Sequence, residues 1–380
     1  KILESFIAKW LWDNIKDKLQ QNQYGGIPGL STVDALIGMV HQWQQAMHEH
    51  KSSRILLLDF RKAFDLVDHN ILISKLKALD VPGILIRWIG AFLTQRKVRV
   101  KLQNDISEWL SLNASVPQGS TLAPILFVVM INDLQVSTDS DMYKYMDDAT
   151  VSEIISANQP GNMSQNAQQI VEWTDNNNMS VNLVKTKEML ISAAKEVPVT
   201  DPIIMNGCTI EQVKNHKLLG LNICSNLKWD DHINDVYKKA NKRLHYLILL
   251  RRAGLEEKDL QLYYKQVIRP VMEYGCQVWH NNLPQYLSDK LQSIQNRAIK
   301  IIYRNNSSNN ILPLADRRSN LCKSYFAKLK KKDHILNAIL PSPHDHGYNT
   351  RFKTQYPKPV CKTQRFKNSF INYSLLNYQL

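Results

Sequence analysis

Two adjacent aspartates, Asp147 and Asp148, stand inside the apolar and aromatic stretch YKYMDDATV, and a third, Asp59, falls near the end of the run RILLLDF. Carboxylates among strand-forming residues are costly to bury unless something positive neutralises them. If the strands that carry them are neighbours, three carboxylates converge at one end of one sheet, and divalent ions relieve their repulsion. Mg²⁺ is held by one or two carboxylates together with waters and substrate phosphates. Two such ions about 4 Å apart can stabilise both the attacking and the leaving oxygen of a phosphoryl displacement. An isolated Asp-Asp pair is more often a turn, so the surrounding elements decide its meaning.

Hydrophobic periodicity supplies those elements. Residues 1 to 22 read as an amphipathic helix with Ile2, Phe6, Ile7, Trp10 and Leu11 at helical spacing, broken by the glycines and proline of QYGGIPGLST. A second helix is expected from Thr32 to about His48, then the buried strand RILLL ending in Asp59, then helices near 70 to 95. KVRVKLQ alternates like a strand, and SVPQGSTLAPILFVVMINDL turns at Pro117 and Gly119 before an apolar helix. DMYKYM and ATVSEII flank the aspartates as a hairpin. A helix around AQQIVEWTDNNN, a strand near EMLISA and a glycine-bearing strand pair at KLLGLNI complete an α+β body ending near 225.

From 230 the pattern is helical. Ile233, Val236, Tyr237, Ala240, Leu244, Leu247 and Ile248 form an apolar stripe, and Lys238, Lys239, Lys242 and Arg243 cluster apart from it. SSNN (307 to 310) reads as a loop. Residues 341 to 380 carry Lys or Arg at 351, 353, 358, 362, 365 and 367 against the single acid Asp345, interleaved with Tyr348, Phe352, Tyr356, Phe366 and Phe370. That mixture suits single-stranded nucleic acid, or equally a tail packed down by its own rings.

The 380 residues, 44% of them hydrophobic, are enough for several cores, and the formal charge of +14 favours a polyanionic partner. No apolar run approaches a membrane span, and the opening KILESFIAKW lacks a secretory signal, so an intracellular protein with no membrane partner is expected. Five scattered cysteines without a CxxC pair support neither a disulfide framework nor a zinc site.

Five blocks in order, LLLDFRKAFDLVDH, SVPQGSTLAPILF, YMDD, VNLVKTKEMLI and KLLGLNI, resemble motifs A to E of reverse transcriptases. QYGGIPGLSTVDAL, KAFDLVDH, RPVMEYGCQVW and LQSIQNRAIKIIYR extend the likeness towards non-LTR (LINE-type) retrotransposon enzymes over nearly the whole chain. YMDD is better known from retroviral enzymes, non-LTR elements more often having Ala at the second position; Met146 is an apolar neighbour there and not a ligand. The chain begins just after the point where relatives carry an RPISL-like block, and Leu30 stands where an arginine is common, so an amino-terminally truncated element is expected.

The resemblance implies an α+β right-hand polymerase, with fingers and an antiparallel palm sheet followed by an α-helical thumb. Its segments would be a fingers remnant at 1–50, a palm with inserted fingers segments at 51–225, a thumb at 226–310 and a basic, aromatic-rich segment at 311–380. Asp59 and Asp147 would bind two Mg²⁺ ions, or Mn²⁺ in their place, with Asp148 assisting and the Phe60 carbonyl as a further ligand. Phe64 matches the aromatic that excludes a ribose 2′-OH. Arg61, Lys62 and Ala63 fall where the incoming triphosphate is contacted, and Gln118 and Gly119 in the block that positions nucleotide and template, the glycine leaving out an obstructing Cβ. Lys185, with Lys187 as rival, would protonate the pyrophosphate leaving group. Asp65 and Asp68 are read instead as helix-start capping or ion-pairing groups.

The function implied is RNA-directed DNA synthesis on an RNA template from a DNA primer and deoxynucleoside triphosphates, in a nuclear or cytoplasmic ribonucleoprotein. The alternative is a catalytically silent remnant that binds RNA or hybrid duplex. A metal-dependent phosphohydrolase leaves the PQG block and the thumb-like helices unexplained.

Overall fold

The computed structural model describes residues 1–156, 161–194, 198–304, 311–343 and 356–378. Its contacts divide the chain into two compact units: one of residues 1–35, 53–190 and 198–213, the other of residues 36–52, 191–197 and 214–380.

The first unit opens with helix α1 (Ile2–Ile15). Its buried face is Ile7, Ala8, Leu11 and Ile15, whereas Ile2, Phe6 and Trp10 are exposed. The apolar residues at helical spacing therefore cover more of the helix surface than the core takes up. Helix α2 (Thr32–His48) belongs to this unit only up to Ala35. Strand β1 (Ser52–Leu58) is buried along its whole length, as a continuous apolar run in a covered sheet should be. Helices α3 (His69–Ala78) and α4 (Gly83–Leu93) follow, then short strands β2 (Lys97–Val98), β3 (Lys101–Leu102), β4 (Asp105–Ile106) and β5 (Leu110–Ser111).

Helix α5 (Ala123–Ile131) is apolar all round, which marks a helix enclosed by its neighbours. Strands β6 (Ser140–Tyr145) and β7 (Asp148–Ile155) pair antiparallel from Ser140↔Glu153 to Tyr145↔Asp148. Helix α6 (Met163–Asn176) and strand β8 (Lys187–Ile191) come next. The four longer strands form one sheet in the order β6-β7-β1-β8. Its core joins Leu56 and Leu58 with Leu126, Phe127 and Met130 of α5, Leu72 and Leu76 of α3, and Ala167 and Ile170 of α6. A hairpin that periodicity did not show, β9 (Ile204–Met205) with β10 (Cys208–Thr209), closes the unit. Its strands are too short to establish an alternation.

Two buried cations tie this body together. Arg54 on β1 pairs with Glu188 on β8 at 2.6 Å and donates to the Asp201 carbonyl. Lys144 on β6 has no exposed surface. Its ammonium donates to the carbonyls of Ile131 at 3.1 Å, Asn132 at 2.9 Å and Leu134 at 3.2 Å, and to Oε1 of Gln20 at 2.9 Å. It thus adds a charged donor to carbonyls at and just beyond the end of α5 and opposes the negative end of the helix dipole. Burial pushes its pKa down to about 7.

The segment Gln20–Gly26 lies along the free edge of β6. Lys144 donates its N–H to the Asn22 carbonyl at 2.9 Å, Tyr24 donates to the Lys144 carbonyl at 2.7 Å, and the rings of Tyr24 and Tyr143 stack at 5.9 Å. Gly25 is where this segment meets the Asp147 turn most closely: a Cβ there would stand 2.5 Å from the backbone N of Met146.

In the second unit, β11 (Asn215–Leu218) and β12 (Leu221–Cys224) form a hairpin that turns through Leu219 and Gly220. Gly220 has φ +87°, and a Cβ on it would lie 2.9 Å from the Tyr274 ring. Helix α7 (Asp230–Arg252) buries His232, Ile233, Val236, Ala240, Leu244 and Leu247, with Lys238, Lys239, Lys242 and Arg243 exposed. Helices α8 (Glu257–Tyr263), α9 (Arg269–Glu273), α10 (Cys276–Trp279), α11 (Gln285–Tyr303) and α12 (Leu314–Leu329) continue the bundle. Helices α13 (Gln364–Lys367) and α14 (Phe370–Asn377) end it. Phe366 and Phe370 are buried, and Phe366 stacks on His48 at 4.5 Å. These two rings pack the tail down and are not offered to a nucleic acid. Tyr348, Arg351, Phe352, Lys353 and the SSNN stretch lie outside the described residues. All five cysteines are free, and among the described residues no helix is long and apolar enough to cross a membrane.

Gly25→Ala is expected to lower the melting temperature by several degrees, because its methyl group would meet backbone that cannot move aside. Gly90→Ala, in helix α4 with only Ile73 at 4.0 Å from the new Cβ, should instead stabilise by roughly 0.5 to 1 kcal/mol. Thermal melts of the two variants, monitored by circular dichroism, check the contrast.

Candidate active site

Asp59 follows the last residue of β1, and the segment between α6 and β8 fixes its backbone. Its carbonyl accepts from Asn182 N–H at 2.7 Å, and its N–H donates to Thr186 Oγ1 at 3.3 Å. Next along the chain, Phe60 pairs with Val181, and Arg61 N–H donates to the Ser180 carbonyl at 2.8 Å. This pairing carries Lys185 to the site, where its ammonium stands 3.7 Å from Asp59 Oδ2. Oδ2 is itself buried and accepts no hydrogen bond. Lys187 points elsewhere: it is bound to Glu211 at 2.7 Å and to the Val184 carbonyl at 2.6 Å.

Asp147 and Asp148 occupy the two-residue turn and first strand position of the β6–β7 hairpin, as the flanking strands suggested. Met146, the first turn residue, has φ +58°. A side chain at that φ is unfavourable for an L-residue, and the pairing of Tyr145 with Asp148 on one side and Gly25 on the other hold it there. β7 and β1 are neighbours, and Asp148 at the start of β7 feels the charges of Asp59 and Lys185, so the Asp147–Asp148 turn and Asp59 lie at the same end of the sheet.

The residues expected on the nucleotide side follow Asp59 along the chain. Ala63 is buried, Arg61 and Lys62 are exposed, and Phe64 is half-buried with its ring stacked on Phe127 at 4.4 Å. The Phe64 and Val67 carbonyls accept from Val116 and Ser115, both at 3.0 Å, so the PQG segment is laced to the chain after Asp59. Gln118 Nε2 donates to Asp65 Oδ1 at 3.2 Å. A carboxylate can only accept, so this bond turns the amide oxygen of Gln118 away from Asp65.

Two sequence readings change here. Asp68 does cap α3, accepting from the N–H groups of Asn70 at 2.8 Å and Ile71 at 3.1 Å, but Asp65 caps nothing and orients Gln118 instead. Gly119 has φ +79° with no atom within 4 Å of a would-be Cβ. This positive φ is a reason for glycine that the sequence pattern did not show.

The donors suit a divalent cation of the Mg²⁺ type. Asp59 offers a buried oxygen that lacks a hydrogen bond, and Asp147 and Asp148 lie close enough to be felt electrostatically. Among the described residues no three His, Cys, Asp or Glu side chains stand together as a ready-made cluster. Mg²⁺ does not require one, since waters and substrate phosphates complete its shell.

The sequence model of the family described as "Reverse transcriptase (RNA-dependent DNA polymerase)" matches residues 1–223. The chain belongs to this family. Among curated proteins it is similar to the "Probable RNA-directed DNA polymerase from transposon BS" of Drosophila melanogaster, 27% identical over 318 residues, covering 80% of this chain and 35% of that protein. It is also similar to the "Probable RNA-directed DNA polymerase from transposon X-element" of the same organism, 26% identical over 292 residues, covering 74% and 32%. The chain spans about a third of the length of these curated relatives. Among solved structures, apo telomerase from Candida tropicalis aligns over 86% of this chain and 58% of that one, with 11% identity and a TM-score of 0.44.

In this reverse transcriptase chain the Asp148 carboxyl is pushed up to about 6, by desolvation at the turn and by the charges of Asp147 and Asp59, with Lys185 acting the other way. The side chain reaches solvent, so the neighbouring carboxylates are the better-founded cause. Because folding raises this pKa, the ionised group works against the folded state above about pH 6. That cost fades as pH falls towards the ordinary value, where both states are protonated. In EDTA, Asp148→Asn is therefore expected to raise the melting temperature by a few degrees at about pH 7.5, with the gain shrinking from about pH 6 down to about pH 4. Melting curves across that range check the sign.

Proposed function

We propose that this chain is an RNA-directed DNA polymerase of retrotransposon origin, which adds deoxynucleotides to a DNA primer on an RNA template. The observation that carries this reading is the meeting of Asp59, Asp147, Asp148 and Lys185 at one end of one sheet, with Phe64 and Gln118 beside them. The primer 3′-oxygen would form a bond to the α-phosphorus of the nucleotide as the bond to pyrophosphate breaks. Asp59 and Asp147, with Asp148 assisting and the Phe60 carbonyl available, would hold two Mg²⁺ ions, whose charge would stabilise the entering and leaving oxygens.

The chain's own groups do the rest. Lys185 is 69% exposed and salt-bridged only loosely to Asp59, so its ammonium is free to reach the leaving pyrophosphate and give it a proton. Arg61 and Lys62 offer exposed charge to the triphosphate. Gln118, with its amide turned by Asp65, presents an acceptor oxygen to a donor on the nucleotide sugar. Phe64, braced by Phe127, cannot swing aside without breaking that stack, so its edge can bar a 2′-hydroxyl. The exposed cations of α7 supply the kind of phosphate contact that sets affinity and salt dependence but not sequence choice.

Primer extension on an RNA template with Mg²⁺ tests the reading: the unmodified chain should extend the primer, and Asp147→Asn should fall by about 10³-fold or more. Failure of the unmodified chain to extend while still binding hybrid duplex would establish the silent-remnant alternative. Phe64→Val is expected to admit ribonucleotides, seen as extension with ribonucleoside triphosphates alone. Unchanged sugar selectivity in that variant would remove Phe64 from the role.

A further inference from the structure

Residues Arg96 to Leu112 form a hairpin that the chemistry above does not use. Lys97 and Val98 pair with Ser111 and Leu110, and Lys101 and Leu102 pair with Ile106 and Asp105. Between these pairs Ser107 N–H donates to the Val100 carbonyl at 2.9 Å, and its hydroxyl accepts from Val100 N–H at 2.8 Å. Every residue from 97 to 111 is exposed. The ribbon therefore presents both faces to solvent, including Val100 at 70%, Leu102 at 71%, Trp109 at 55% and Leu110 at 66% exposure. Exposed apolar groups on this scale mark an interaction surface.

The charge on the ribbon says what kind. Lys97, Arg99 and Lys101 alternate along one strand, and among the described residues none of them is in an ion pair. Asp105 and Glu108 are the only acids between Arg96 and Leu112. The Arg99 guanidinium lies 4.4 Å over the Trp109 ring, so a cation and a large aromatic face are already held together in solvent. A β-ribbon can enter the major groove of B-form DNA, but the groove of an A-form helix is too deep and narrow for side chains to read. Cations for phosphates interleaved with planar groups for bases are what an unpaired strand needs.

We propose that the Lys97–Ser111 ribbon binds single-stranded RNA, and so holds the template before it pairs. The template role rests on the polymerase reading; the binding itself does not. Lys97, Arg99 and Lys101 take successive phosphates, and Trp109 with Arg99 provides the platform on which a base stacks.

The test uses the full chain and an unstructured, end-labelled oligopyrimidine RNA, with binding measured by fluorescence anisotropy over a range of salt. The triple variant Lys97→Gln/Arg99→Gln/Lys101→Gln should lose about a hundredfold in affinity at 0.1 M salt, and its log–log salt slope should fall by about 2, near 0.7 for each lost phosphate contact. Trp109→Ala should lose roughly tenfold with the slope unchanged. Because all four side chains are exposed, the variants should melt like the unmodified chain. An unchanged affinity and slope in the triple variant would overturn the proposal. So would an equal loss on A-form duplex, which would make the ribbon a general polyanion surface, or a fall in oligomeric mass of Val100→Asp/Leu102→Asp with RNA binding intact, which would make it a contact between copies. If the unmodified chain binds the RNA through the ribbon but extends no primer, the polymerase reading fails and the binding site stands.

Discussion

The gathering of carboxylates at one end of a four-stranded sheet is the constraint on which the rest of the candidate site depends. Left to their side chains, Asp59, Asp147 and Asp148 would separate. They are kept together because none of them is placed by its own rotamer alone. Asp59 is held through backbone bonds to Asn182 and Thr186, and the Asp147–Asp148 turn through the β6–β7 register that opposes Tyr145 and Asp148. The pKa of Asp148 is raised by desolvation and by the charges of Asp147 and Asp59, with Lys185 acting the other way. A site that is uncomfortable when its anions face one another is one in which a cation gains the most by binding.

Much of the surrounding architecture keeps this arrangement from relaxing. The Gln20–Gly26 segment covers the edge of β6, and its approach at Gly25 helps confine Met146 to a positive φ that an ordinary hairpin residue would leave. Lys144, three residues before Asp147, anchors the same strand to the end of α5 through four acceptors. An ammonium in that position is expensive to bury, as its lowered pKa shows, and the nearby charge of Asp133 offsets this only in part. What it gains is a set of backbone carbonyls, those of Ile131, Asn132 and Leu134, together with a helix end of favourable sign. Strand β6 and helix α5 are thereby fixed to each other close to the Asp147–Asp148 turn.

The second link runs from the segment after Asp59 to the PQG segment. Backbone bonds from Val116 and Ser115 bring the two side by side, and Asp65 then chooses which face Gln118 shows. The two segments are loops, but they are laced to each other by backbone bonds and so do not shift independently. The exposed ribbon after α4 differs in kind: every residue from 97 to 111 is exposed, and three cations alternate with apolar groups along one strand.

Local pattern determined a good deal in advance. A continuous apolar run meant a covered strand, strict flanking strands meant a hairpin with aspartates at its turn, and Thr32 to His48 meant a helix with the observed bounds, because these are properties of a few consecutive residues and their period. Five ordered blocks sufficed to indicate the family. Pattern did not decide which of two lysines faces Asp59, that Asp65 serves Gln118 and not a helix cap, that Gly119 answers a φ, or that Ile2, Phe6 and Trp10 stay outside the core. Nor did it separate a packed tail from a nucleic-acid arm, a choice settled for Phe366 and Phe370 by burial against distant residues. Each of these turns on which strand or loop lies next to which, and that adjacency joins residues far apart in the chain, where the period of neither segment carries any record of the other.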